Sequence, residues 1–154
     1  MREMYIVLLL KCLNTKGTKD NTKDSKEKNN IMDLEAIFKK ILDCCFRIHS
    51  ALGPGLLESV YVECLNFELE RAGLNVQKQK PLPLVHNEVK LDAGFRIDLL
   101  VEDKVVIEVK SVEALADIHL AQTLTYLRLS KCKIGLLVNF NVTHLKNGIK
   151  RVIH

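Results

Sequence analysis

Tryptophan is absent from this sequence, and aromatic residues make up only 5% of it, five Phe and three Tyr. So sparse a set excludes the aromatic platform on which single-stranded bases stack. The five cysteines are odd in number and form no CxxC pair. Cys44 and Cys45 are adjacent, which suits neither a mutual disulfide nor a common zinc spacing, so reduced core thiols of a cytoplasmic protein are expected. Cys45 and His49 stand four apart without a second ligand pair, and the five His form no ligand spacing among themselves. Long apolar runs are missing too. Tyr5–Leu10, after Arg2 and Glu3, is too short for a signal-peptide core or a membrane span. Charge of one sign is also scarce. Residues 1–31 hold seven Lys/Arg against four Asp/Glu, whereas the remainder holds sixteen against fifteen. Bulk attraction to a polyanion is thereby excluded for the main body, and only a local basic patch, such as Lys131 with Lys133 or Lys146 with Lys150 and Arg151, is left to track phosphates.

What is present suffices for one domain. A chain of 154 residues with 47% hydrophobic content buries roughly 70% of its unfolded surface. Asn14–Asn30 is Lys-rich and almost without apolar residues, so it cannot offset its ordering entropy; residues 1–31 are expected to be a disordered extension, and residues 32–154 the folded domain. From Asp33, a suitable N-cap, Leu34, Ile37, Phe38, Ile41, Leu42, Cys45, Ile48 and Leu52 recur at helical spacing. Gly53-Pro54-Gly55 ends that helix. A second helix is predicted over Leu56–Ala72, with Leu57, Val60, Tyr61, Cys64 and Leu65 inward and Gly73 at C′. Glu58 falls in its first turn, where the helix dipole alone favours an anion. Strands are predicted over Asn75–Lys80 and Leu82–Leu91, with Pro81 and Pro83 marking an edge or bulge and His86-Asn87-Glu88 a turn. A helix over Asp117–Ser130 and strands over Ile134–Phe140 and Ile149–His154 complete an α/β sandwich with a mixed sheet flanked by helices.

Between these lies the stretch on which the chemistry turns, Phe95–Ser111, FRIDLLVEDKVVIEVKS. It reads as two apolar strands around the turn Glu102-Asp103-Lys104. Alternation puts Arg96, Asp98 and Leu100 on one face of the first strand and Ile97, Leu99 and Val101 on the other; in the second, Val106, Glu108 and Lys110 share a face. A hairpin then sets Asp98 beside Glu108 and Lys110. Carboxylates on apolar strands are costly to bury unless they meet a metal, a partner or water. A salt bridge along a strand edge is the plain alternative. Val-Val-Ile-Glu-Val, however, is more apolar than a solvated edge requires.

Asp98 followed after a turn by Glu108-Val109-Lys110 resembles the core of the PD-(D/E)XK nuclease superfamily. Glu58 and the Gln122-x-x-x-Tyr126 pair resemble its RecB-type branch, and Gly55-Leu56-Leu57-Glu58-Ser59-Val60-Tyr61 resembles the signature of the GxxExxY proteins. The likeness runs from about Leu34 to the C-terminus, through LGPGLLESVY, QKPLPLV, RIDLLVEDKVVIEVKSVE, AQTLTYL and GLLVNFN. It implies a restriction-endonuclease-like fold and a nuclease that uses Mg²⁺ or Mn²⁺ to hydrolyse phosphodiester bonds, more naturally in DNA. Asp98, Glu108 and Glu58 would hold the metal with the Val109 carbonyl, and Lys110 would orient or help deprotonate water. Gln122 would bond near that water or the phosphate, Tyr126 would brace substrate or pack beneath it, and Tyr61 would either pack or support the site. Ile97 stands where the superfamily's name has proline, which is not a ligand. The four-cysteine pattern of iron–sulfur relatives is missing. A lone domain of this kind often relies on a second copy or another protein to hold substrate, and no residue pattern identifies one. The competing expectation is a catalytically silent module of the same fold that binds nucleic acid or protein.

Overall fold

A computed structural model describes residues 24–154, without the side chains of 24–33, 85, 86 and 90–93. The expectations for Tyr5–Leu10 and for the first part of the Asn14–Asn30 tract lie outside the described residues. The chain divides into Met1–Met32 and Asp33–His154. Helix α1 is Asp24–Leu52. It therefore starts before the expected cap at Asp33, within the tract expected to lack order. After the Gly53–Leu57 turn comes α2, Glu58–Arg71. Then follow β1 (Val76–His86), β2 (Val89–Val101), β3 (Val105–Lys110), α3 (Asp117–Ser130), β4 (Ile134–Asn139) and, after a 3-10 turn, β5 (Ile149–Ile153).

The five strands lie in chain order across one sheet. All neighbours are antiparallel except β3 and β4, which run parallel and are joined through α3. The predicted strand Asn75–Lys80 and the first half of Leu82–Leu91 are one strand, β1, and residues 89–91 open β2 after the expected turn at Asn87 and Glu88. β1 tolerates both prolines because it has only β2 as a neighbour, and its register shifts between Leu82 and Leu84 around Pro83. Glu102 and Asp103 both adopt positive φ, +53°, as a tight hairpin turn between right-twisted strands requires. Every residue of β3 and β4 is buried, which accounts for their unbroken apolar sequence.

Two cores flank the sheet. On one side, Ile37, Ile41 and Cys45 of α1 and Tyr61, Leu65 and Leu69 of α2 pack on Leu99, Ile107 and Leu136. On the other, Tyr126 and Leu127 of α3 pack on Ile97, Leu100, Val106 and Leu137. These layers make the α/β fold with a mixed sheet that is consistent with the restriction-endonuclease-like architecture. The expected inward faces need correction in detail. Leu52 and Val60 are exposed, as is Leu57 at 74%. The 61/62/65/69 spacing, rather than the earlier residues, defines the buried stripe of α2. Cys45 is fully buried and His49 bonds the Val142 carbonyl through Nε2 at 2.7 Å, so the pair serves packing. Gly73, at φ +77°, closes α2 as the expected C′ residue, with its N–H on the Glu70 carbonyl.

Gly148 is required for a different reason. A Cβ there would overlap the Asn139 carbonyl oxygen and crowd Val142. Gly148→Ala is expected to cost about 1–3 kcal/mol, as overpacking against backbone does, read as a lower denaturant midpoint at constant slope. An unchanged midpoint would mean the close approach is not maintained in solution.

Candidate active site

The β2–β3 ladder pairs Val101 with Val105, Leu100 with Val106 and Leu99 with Ile107, and there it stops. The next step in register would oppose Asp98 and Glu108. At that step the Asp98 side chain takes over from the backbone, and its Oδ2 accepts the Val109 N–H at 2.9 Å. The expected alternation fails here: Ile97 packs with Leu100 on the α3 side, while Leu99 packs on the other. The break falls at Asp98, where the ladder with β3 ends. In an extended strand one residue's N–H and C=O point to the same edge, so the Val109 carbonyl also faces the place where the ladder has ended.

Glu108 is 2% exposed and Lys110 8%, so their charges sit almost out of water. Lys110 Nζ donates to Glu108 Oε1 at 2.6 Å and lies 4.0 Å from Glu58 Oε1. Glu58 reaches it from the first turn of α2. The turn before Glu58 is fastened twice. The Tyr61 hydroxyl donates to the Gly53 carbonyl at 2.6 Å and accepts the Leu56 N–H at 3.2 Å, and Ser111 Oγ donates to the Leu56 carbonyl at 2.6 Å. Tyr61 is itself fully buried and stacked on Phe140, with centroids 4.6 Å apart. Of the two expected roles, packing is visible here, and through its hydroxyl Tyr61 also holds the turn that carries Glu58.

Electrostatics follow from this packing. Burial, and then the neighbouring Asp98 charge, push Glu108 up to about 7, although the Lys110 hydrogen bond and charge pull the other way. Burial also raises Asp98, against the Val109 N–H, Lys110 and Gln79, which favour its ionised form. For Lys110, burial disfavours the charge. The Glu108 hydrogen bond and the carboxylates of Glu108, Glu58 and Asp98 outweigh it and hold the ammonium above its ordinary value. Glu108 Oε2 is buried with no hydrogen-bond partner among protein atoms. Such an acceptor is costly unless a cation or water meets it. An orphaned carboxylate oxygen, a second carboxylate, the Val109 carbonyl and a helical glutamate are an all-oxygen set of candidate donors, which fits a hard divalent cation.

The structure brings Gln122 and Tyr126 to each other, with Gln122 Nε2 donating to the Tyr126 hydroxyl at 2.9 Å. Tyr126 is buried, and its ring meets Phe95 edge-on at 6.4 Å. Burial foremost raises its phenol, and the charges of Glu108 and Asp98 add to that. Tyr126 thus lies within reach of the carboxylates' charge, and Gln122 is its hydrogen-bond partner. Two residues escaped the reading of the sequence. Gln79 of β1 donates from Nε2 to Asp98 Oδ1 at 3.1 Å. Asn139, paired with Lys110 across β3 and β4, is buried and clamps both the N–H and the C=O of Val112. A lone amide within the apolar run Ile134–Phe140 was the available signal for Asn139. Gln79 gave none, because its importance depends on the pairing of β1 with β2.

Among the described residues no helix is long and apolar enough to cross a membrane. A family model described as the PD-(D/E)XK nuclease superfamily matches residues 35–152. No curated protein and no solved structure is similar enough to count as a match.

Proposed function

The chain belongs to the PD-(D/E)XK nuclease superfamily, and from that premise we propose that it is a divalent-metal-dependent nuclease that hydrolyses phosphodiester bonds in DNA. One observation carries the reading. At the end of β3 a buried Glu108 and Lys110 form a pair next to Asp98, and one Glu108 oxygen is left without a partner. Asp98, Glu108 and the Val109 carbonyl would hold Mg²⁺ or Mn²⁺, with Glu58 completing the shell directly or through water. When bound, such an ion neutralises phosphate charge and acidifies a coordinated water.

The chain's own groups supply the rest. Lys110, held above its ordinary value, is an ammonium at neutral pH. It donates to Glu108, and with substrate present it would orient a water or a phosphoryl oxygen or help deprotonate that water. Gln122 and Tyr126 would form the floor beneath the carboxylates. The Gly55–Tyr61 segment and the Gln122/Tyr126 pair place the chain, in our reading, in the RecB-type branch beside the GxxExxY proteins. We take residues 32–154 as the nuclease domain of a cytoplasmic protein, with a second copy or another protein as a candidate aid in holding substrate.

The scaffold alternative draws on the fact that, among the described residues, no three His, Cys, Asp or Glu side chains group closely enough to hold a metal. Magnesium sites, however, need only one or two carboxylates, completed by waters and substrate oxygens. The deciding experiment offers single- and double-stranded DNA and RNA to wild type and Asp98→Ala, with Mg²⁺, Mn²⁺ or chelator. Cleavage of DNA that needs the metal and disappears in Asp98→Ala is expected. Equal cleavage by both proteins, or none by wild type, would sink the enzyme reading.

A further inference from the structure

β1 keeps one register with β2 on both sides of Gln79: Lys78 pairs with Leu99 and Lys80 with Ile97. No residue is inserted on either strand there, so the ladder has no need of a bulge. Yet Gln79 itself leaves the extended conformation, with φ +52°, and makes no pair with Asp98, the residue opposite. Left-handed backbone is costly for a residue with a Cβ, and such excursions gather at working sites. The neighbouring lysines are occupied elsewhere, Lys78 with Glu63 at 2.7 Å and Lys80 with Asp103 at 3.3 Å. The Gln79 amide alone turns to Asp98, meeting Oδ1 at 3.1 Å while Val109 holds Oδ2 at 2.9 Å. Two donors, one from each neighbouring strand, thus fix the rotation of one carboxylate. The donor from β1 is neutral, so it adds no positive charge where a cation is to sit.

We propose that Gln79 is a positioning residue of the site: its amide holds Asp98 so that the carboxylate presents its remaining lone pairs to the divalent cation shared with Glu108. This rests on the nuclease reading above. Partners of metal ligands that are not themselves ligands set ligand orientation, and losing one typically weakens metal binding by about 10- to 100-fold.

Calorimetric titration of the full chain with Mn²⁺ alone, alongside melting curves without metal, provides the test. Gln79→Ala keeps a side chain on the left-handed backbone and loses the amide; Gln79→Gly loses the amide and relieves the backbone. Both are expected to bind Mn²⁺ at least about tenfold more weakly than wild type, with the melting temperature unchanged for Ala and unchanged or higher for Gly. Wild-type affinity in both variants would overturn the inference and leave the nuclease reading intact. So would a loss in Ala that Gly restores, which would assign the effect to the backbone. Absence of Mn²⁺ uptake by wild type would overturn both together.

Discussion

Lys110→Met is expected to lower the single-turnover cleavage rate by about 10²- to 10³-fold, the cost of removing one preorganised hydrogen-bond donor from a reacting centre, without weakening Mn²⁺ binding. The ammonium lies 2.6 Å from Glu108 and 4.0 Å from Glu58, so before metal arrives it neutralises the carboxylates that the metal needs. Its removal frees Glu108 Oε1 and leaves the negative charge of the cluster unbalanced, which favours a divalent cation. Chemistry suffers for the opposite reason, because on the proposed reading the donor assigned to the water or phosphoryl oxygen is gone. Methionine fills a similar volume in a position only 8% exposed, so packing is largely kept. Calorimetry and quench-flow on one preparation separate the two effects. Cleavage at the wild-type rate would remove Lys110 from the chemistry, and a parallel loss of Mn²⁺ binding would make it a structural prop.

Glu108→Gln is expected to abolish Mn²⁺ uptake and to remove most of a pH dependence of stability that the wild type shows without metal. The Glu108 carboxyl is raised from 4.5 to about 7 in the folded protein. Between those values the native state keeps a proton that the unfolded chain has released. The unfolded chain then binds fewer protons, so stability falls as pH rises from about 4.5 to 7 and levels off above. A shift of this size corresponds to about 3 kcal/mol across the window. Asp98, also raised by burial, adds to the slope in the same direction. Lys110, raised as well, keeps its contribution until alkaline pH. Saturating Mn²⁺ at 100 times its Kd returns about 3 kcal/mol, enough to flatten the wild-type profile. Chemical denaturation at a series of pH values, with and without Mn²⁺, checks this. An equally steep profile in Glu108→Gln would mean that the carboxyl is not desolvated in solution.

How much of this was legible beforehand depends on the range of each signal. The helix Asp117–Ser130 and the run of β4 were readable to within a residue, because periodicity and flanking polar residues are local. The hairpin that joins Asp98 to Glu108 was readable because an alternating pattern and a short turn leave little freedom in register. The fate of Ile97 was not, since alternation presumes an unbroken ladder and the break is caused by Asp98 itself competing for the Val109 N–H. The sequence left Tyr61, three residues from Glu58, open between core packing and supporting the site. Its burial against Phe140 depends on β4, a strand some eighty residues away. Gln79 needed the β1–β2 register, fixed only by a long edge strand with an irregularity at Pro83.

The parallel pairing of β3 with β4 has a consequence for how the chain finds its shape. Asp98 and Glu108 belong to one short hairpin, whose closure demands little loss of chain freedom, whereas β4 must return through the whole of α3 before it can dock. Local contacts are thus expected to bring the two acids together first, while water still surrounds them. Their dry roof arrives afterwards, and the strain of crowding like charges is imposed late, by elements that carry no acid of their own into the pair.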